Sequence, residues 1–154
     1  MTTAAKVTDY LISKSVKEAS PITNKRLQKL LYYIQAWHLA INGKPLFEDK
    51  IEAWIHGPAI RSVYEEYKSF VANPIDKISN VKIAEELGSV TTNFIDRIVK
   101  AYSKYDTPTL EYMTHAEDPW QIARKGLEAN EGSNNEITQD SMRVYYSDRL
   151  TTIK

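Results

Sequence analysis

The chain has 154 residues, with 20 basic and 20 acidic side chains, three His and no Cys, and its formal net charge is zero. The lack of Cys excludes disulfides, thiolate zinc ligands and cysteine nucleophiles together. Zero net charge argues against a protein held on nucleic acid by a broadly basic surface. With 42% hydrophobic and 26% charged residues, the composition suits one ordinary globular domain with no transmembrane helix.

Met1 to Val7 holds one Lys and no apolar run, so no signal peptide is predicted and a cytoplasmic protein is expected. Ala4, Val7, Tyr10 and Leu11 recur at spacings of three and four, which predicts a helix up to Glu18 that Ser20-Pro21 ends. Leu27, Leu30, Leu31, Ile34, His38 and Ile41 carry the strongest helical period, with Thr23 as N-cap and Asn42-Gly43 as stop. Tyr33 and Trp37 lie off that stripe, so this helix is predicted at the centre of a bundle. Leu46-Phe47, then the alternation of Ile51, Ala53 and Ile55 with Glu52, Trp54 and His56, predict a small β-hairpin over about residues 45–56. Its turn falls at Glu48-Asp49-Lys50. Gly57 follows, and Pro58 is placed in the first turn of a third helix with Ile60, Val63, Tyr64 and Tyr67 as its stripe.

Residues 69–84, with Asn73-Pro74, read as loop. A helix is predicted from about Glu85 to Tyr105, with Leu87, Phe94, Ile95, Ile98, Val99 and Tyr102 inward and Gly88 weakening its first turn. Thr107 is placed as N-cap and Pro108 as the first residue of a short helix to about Thr114. Asp118-Pro119 repeats the device, and Gln121 is placed to complete a capping box. Thr138 caps a last helix, with Ile137 and Met142 as a hydrophobic staple and Met142, Tyr145, Tyr146 and Leu150 as its stripe. The sum is a mainly α single domain over residues 1–154, with about six to seven helices and a small hairpin.

His38, His56 and His115 are far apart and read as structural; no metal or cofactor is expected. The adjacent carboxylates Glu65-Glu66 and Glu117-Asp118 would point roughly 100° apart on a helix, so they read as a solvated face and a helix cap. No Gly-rich phosphate loop or nucleophile elbow is present, and no catalytic residue is assigned. Lys25, Arg26 and Lys29 start the second helix, as a phosphate contact or as a solvated face. Ten Tyr fall in near pairs, Tyr32/Tyr33, Tyr64/Tyr67, Tyr102/Tyr105 and Tyr145/Tyr146, which suits core edges and binding surfaces alike. Trp37, Trp54 and Trp120 are predicted mostly buried, joining hairpin to helices. Arg61, Tyr64, Glu65 and Lys68 line one polar face of the third helix beside the irregular segment. They are either the candidate partner contact or an ordinary solvated face.

The run Leu27-Gln28-Lys29-Leu30-Leu31-Tyr32-Tyr33, followed by Gln35-Ala36-Trp37-His38, resembles the signature helix of the Panacea antitoxin domain, once labelled phage-associated protein. Gly43-Lys44-Pro45-Leu46-Phe47, Ile51-Glu52-Ala53-Trp54, His56-Gly57-Pro58 and Val63-Tyr64 follow in the family's order. Leu110, Thr114-His115, Glu117 and Pro119-Trp120 resemble its second motif block, and Val144-Tyr145-Tyr146 is compatible with its final helix. The resemblance is good over about Ile22 to Tyr67 and Leu110 to Arg124 and weak over residues 69–105, where Tyr105-Asp106 replaces a frequent Gly.

The resemblance implies a mostly helical domain with Leu27, Leu30, Tyr32, Trp37, His38, Trp54, Gly57, Pro58 and Trp120 as fold signature rather than catalytic site. It implies an antitoxin, commonly encoded beside its toxin in bacteria and prophages, that neutralises a protein toxin by direct binding. Small alarmone-synthetase-like enzymes are among such toxins. The alternatives are a proteolytic adaptor, a DNA-binding regulator of the same operon, or an enzyme with an unmarked site. A homodimer is compatible with any of these; membrane and nucleic-acid partners are not expected.

Overall fold

The computed structural model describes residues 1–152. Its helices and strands follow in the order α1 (Ala4–Lys17), α2 (Asn24–Asn42), β1 (Ile51–Trp54), β2 (Gly57–Ala59), α3 (Arg61–Tyr67), α4 (Ile83–Leu87), α5 (Ser89–Tyr102), α6 (Thr107–His115), α7 (Asp118–Ala123), β3 (Glu136–Ile137) and α8 (Gln139–Ser147). Eight α-helices are present among the described residues, where about six to seven were expected, and the class is mainly α as read from sequence.

The Thr23 side chain accepts the Arg26 N–H and opens α2, and Gly43 closes it. Leu27, Leu31, Tyr32, Tyr33, Ile34 and Ala36 are all fully buried, so this helix is apolar on several faces. It packs against α1, α5, α6, α8 and the sheet. Each large side chain hidden this way contributes roughly 1.5–3 kcal/mol, which makes α2 the main stabilising element. Trp37 and Trp120 are buried at 2% and 9% exposure, whereas Trp54 is only half-buried.

The sheet has the order β2-β1-β3, antiparallel throughout, with Ala53 opposite Pro58, Trp54 opposite Gly57 and Ile51 opposite Ile137. The hairpin expected over residues 45–56 is therefore displaced. Its turn is Ile55-His56, and residues 45–50 are loop. The cause is Gln35 on α2. Its side chain donates to the Phe47 carbonyl at 2.6 Å and accepts the Leu46 N–H at 2.9 Å, taking the groups a strand would have used. Pro58 lies in the edge strand β2 rather than in a helix; lacking an N–H, it suits an edge. The third helix begins only at Arg61, after Ile60 has donated its N–H to Gln28 Oε1 at 2.7 Å.

Three further boundaries differ. The helix expected from Glu85 to Tyr105 is two helices, because Gly88 sits at φ +84° between α4 and α5. Leu87, Phe94 and Val99 are only partly buried. Asp106, not Thr107, caps α6 by accepting the Thr109 N–H at 2.8 Å. Glu117, not Asp118, precedes α7, and its carboxylate is not spent on the helix end. The cap Thr138 and the buried pair Ile137 and Met142 stand as expected around the start of α8. No helix among the described residues is long and apolar enough to cross a membrane.

Candidate functional site

Three groups of polar side chains are built into this frame. The first is internal. Tyr32 and Tyr33 of α2 donate to Oε1 and Oε2 of Glu117, each at 3.0 Å, and Tyr146 of α8 donates to Oε1 as well. Trp37 Nε1 donates to Tyr102 O–H at 2.8 Å, and the Tyr33 and Tyr102 rings stack at 4.0 Å. Trp37 meets Tyr146 edge to face at 4.8 Å. Burial pushes the Glu117 carboxyl above its ordinary range, against the three hydroxyls that pull it down. Burial, with the same carboxylate, drives the Tyr32, Tyr33 and Tyr146 hydroxyls up, so they stay donors. Four tyrosines read as core edge or interface are thus interior. Glu117, read as part of a solvated face or cap, is the acceptor that ties α2 and α8 to the start of α7. Its three bonds hold the bundle centre together; they give it no exposed acid or base to offer.

The second group lies around the start of α2. Lys29 is only 2% exposed and donates to the Pro58 carbonyl at 3.2 Å. Burial lowers its pKa to about 7, with Glu111 opposing that fall. Lys25 pairs with Glu111 at 2.6 Å, and His56 Nδ1 lies 3.6 Å from the same carboxylate. Arg26 points away, toward the Tyr102 carbonyl and Thr107. The three bases therefore do not form one basic face: consecutive turns send them to the core, to α6 and to the α5–α6 junction.

His115 stacks on Trp120 at 4.2 Å, and burial lowers its pKa. Trp120 Nε1 donates to the Trp54 carbonyl at 2.8 Å, and the buried Arg124 lies over the Trp120 ring and donates to the Ala53 carbonyl. His38 donates Nδ1–H to the Lys44 carbonyl at 2.6 Å. Among the described residues, no group of three or more His, Asp or Glu side chains is placed to hold a metal ion.

The third group is exposed. Arg61 donates to Glu52 Oε1 at 2.9 Å and to Asn134 Oδ1 at 2.8 Å, with its guanidinium 5.2 Å from the Trp54 ring centre. Tyr64, 37% exposed, meets the same ring edge to face at 5.0 Å. Glu65 and Lys68 pair with each other at 2.6 Å. The structure thus gathers Arg61 and Tyr64 on Trp54 and leaves Glu65 and Lys68 beside them on the surface. Gln28, Gln35, Glu111, Glu117 and Arg124 were missed as organising residues. Gln28 and Gln35, seven apart inside an apolar helix, were the one legible signal, because a polar side chain there must meet a buried backbone group.

The family model described as antitoxin SocA-like, Panacea domain, matches residues 27–121. Antitoxin SocA of Caulobacter vibrioides (strain NA1000 / CB15N) is 29% identical over 142 residues, which cover 84% of this chain and 74% of that protein. No solved structure matches the chain.

Proposed function

The chain belongs to the family of SocA-like antitoxins with a Panacea domain, and from that premise we propose that it neutralises a cognate protein toxin by direct binding. The toxin is encoded by the adjacent gene, and a small alarmone-synthetase-like enzyme is the class to test first. The contact face is Arg61, Tyr64, Glu65 and Lys68. The observation that carries this reading is the pair Arg61 and Tyr64, both held on Trp54 while still facing solvent. Arg and Tyr are the side chains that most often anchor protein interfaces, and ones already held by neighbours lose little freedom on binding. A role as binder rather than enzyme agrees with the use of Glu117, Tyr32, Tyr33 and Tyr146 as internal scaffold. The DNA-binding alternative is less favoured, because Lys29 is buried and Arg26 is turned toward the Tyr102 carbonyl and Thr107, so the three bases share no exposed face.

The test is co-expression. Alone, the chain is harmless; together with the neighbouring gene product it restores growth and co-purifies with it. Arg61→Glu combined with Tyr64→Ala abolishes rescue, while the melting temperature stays within roughly 4 °C, since both side chains are largely outside the core. Full rescue by that folded variant places the interface elsewhere. A neighbour that is not toxic, with no partner co-purifying, removes the antitoxin reading itself.

A further inference from the structure

Next to the Arg61–Tyr64 face lies a groove of about 370 Å³, bounded by α2, the β1–β2 turn and α3. We propose that it binds a carboxylate-bearing segment of the protein partner, an acidic side chain flanked by apolar ones. The proposal rests on the antitoxin reading above and names the partner chemistry that reading leaves open.

Charge complementarity is the first argument. Lys25, Lys29, His56 and Lys68 all line the groove, and none of its lining residues is Asp or Glu. Outside it, Glu65 pairs with Lys68, and Glu111 pairs with Lys25 while also facing His56 and Lys29. Lys68 and Glu65 are both exposed, and a pair of that kind is worth only about 0–1 kcal/mol, so an incoming carboxylate can replace Glu65 at little cost. Lys25 is itself half-exposed and can take a second carboxylate beside the partly buried Glu111. Lys29 is different. It is built into the floor, and a single carbonyl, that of Pro58, accepts from its ammonium. An amine this deeply buried, with one carbonyl accepting from it, gains from a further anion brought within hydrogen-bond reach, which would favour its charged form.

The walls supply the apolar part. Trp54 and Tyr64 form one side, and Val71 and Ala72 lie on the rim. Val71 is 76% exposed and has φ +55°, a left-handed conformation that a β-branched residue rarely adopts. Gly57 keeps the floor open for Lys29, since a Cβ there would stand 2.8 Å from Lys29 Cε. Lysines at floor and edge with aromatic walls fit an acidic peptide segment. A nucleic-acid site would instead call for a broad basic surface, and the chain's 20 basic and 20 acidic residues do not provide one.

The experiment uses the full chain and the purified product of the adjacent gene. A carbodiimide, which joins amines directly to carboxylates, is applied to the complex, and the linked peptides are read by mass spectrometry. The expected links join Lys25 or Lys68 to an Asp or Glu of the partner. In parallel, Lys25→Glu combined with Lys68→Glu weakens binding by at least about tenfold. Lys100→Glu, exposed on α5 and not part of the groove, leaves the affinity within about twofold. Full affinity of the double variant, with links only from other lysines, overturns the groove while growth rescue still upholds the antitoxin reading. A wild-type chain that neither binds the neighbour nor rescues growth overturns both. Loss of affinity for a duplex DNA of about 20 bp, with protein binding intact, overturns the proposal in favour of a phosphate partner.

Discussion

Replacing Glu117 by Ala withdraws the shared acceptor of Tyr32, Tyr33 and Tyr146. All three hydroxyls belong to side chains at 2% exposure or less, so water does not readily replace the lost partner. A buried hydroxyl left without a partner costs about 1–3 kcal/mol, which puts three of them at roughly 3–9 kcal/mol. Part of this is offset, because burial already disfavours the ionised carboxylate, as its raised pKa records. The net loss expected is about 3–5 kcal/mol, a large share of the roughly 5–15 kcal/mol that holds a domain folded. Guanidinium denaturation followed by tryptophan fluorescence measures it, since Trp37 contacts Tyr146 directly. The diagnostic variant combines Glu117→Leu with Phe at positions 32, 33 and 146. It removes acceptor and donors together, so it recovers most of the loss. Glu117→Gln loses less, about 1–2 kcal/mol, because its amide still accepts and donates. The sign with pH is also set. Because the folded pKa is raised, Glu117's contribution is complete below the ordinary carboxylate range and falls as pH rises through the higher folded value. Glu117→Gln lacks that fall. A loss below about 1 kcal/mol for Glu117→Ala, or no recovery in the combined variant, would refute the account of a centre held by one carboxylate.

Lys29 titrates at about 7 in the fold against 10.5 when unfolded. Its burial penalty is therefore complete below pH 7 and is relieved as pH rises, so this residue adds roughly 2 kcal/mol of stability between pH 7 and 9. Lys29→Met removes that rise, and parallel denaturation curves for the two proteins across that interval would contradict it. Gly57 has φ +111°, and an added Cβ would meet Thr114 Oγ1 at 2.9 Å as well as Lys29. Gly57→Ala is thus expected to cost at least about 2 kcal/mol in urea denaturation, and a neutral result would mean that the turn relaxes freely. Trp54→Ala, at a half-buried ring that carries Arg61 and Tyr64, is expected to cost about 1–3 kcal/mol, less than a fully buried Trp. A loss above that range in thermal unfolding would show the ring to be a core residue.

The parts of the fold legible in the sequence are those set by local physics. The start of α2 follows from Thr23 and a long apolar period, and the start of α8 from Thr138 between Ile137 and Met142. The hairpin was legible as a strand pair but not in register. Alternation over Ile51 to Ile55 marks a strand without saying at which end the chain turns back. The distant Gln35 takes the backbone groups of Leu46 and Phe47 and so excludes the earlier turn. Glu117 was illegible for the same reason. Before Asp118-Pro119 a carboxylate reads as part of a cap, and only tyrosines 84, 85 and 29 residues away make it a core acceptor. Of the candidate face, the exposure of Arg61, Tyr64, Glu65 and Lys68 followed from helical spacing. Their meeting with Trp54 did not, because it needs the β1–β2 turn to bring the sheet beside α3.

Most of the residues expected from the sequence resemblance to form the fold signature lie inside. Leu27, Leu30, Tyr32, Trp37 and Trp120 are buried, and Gly57 and Pro58 are enclosed in the edge strand. Changes at such positions cost several kcal/mol, whereas changes at exposed positions away from special contacts usually stay within about 0.5 kcal/mol. The frame and the face therefore answer to different constraints, although residues 27–121 contain both. Trp54 sits where the two meet. Its backbone carbonyl is taken by Trp120, its indole N–H by Glu52, and its ring by Arg61 and Tyr64. A side chain tied to the core by its backbone and to the surface by its ring passes the rigidity of the bundle to the exposed pair. Tyr64 and Lys68 can then change, or Val71 can be recast, without loosening the support beneath them.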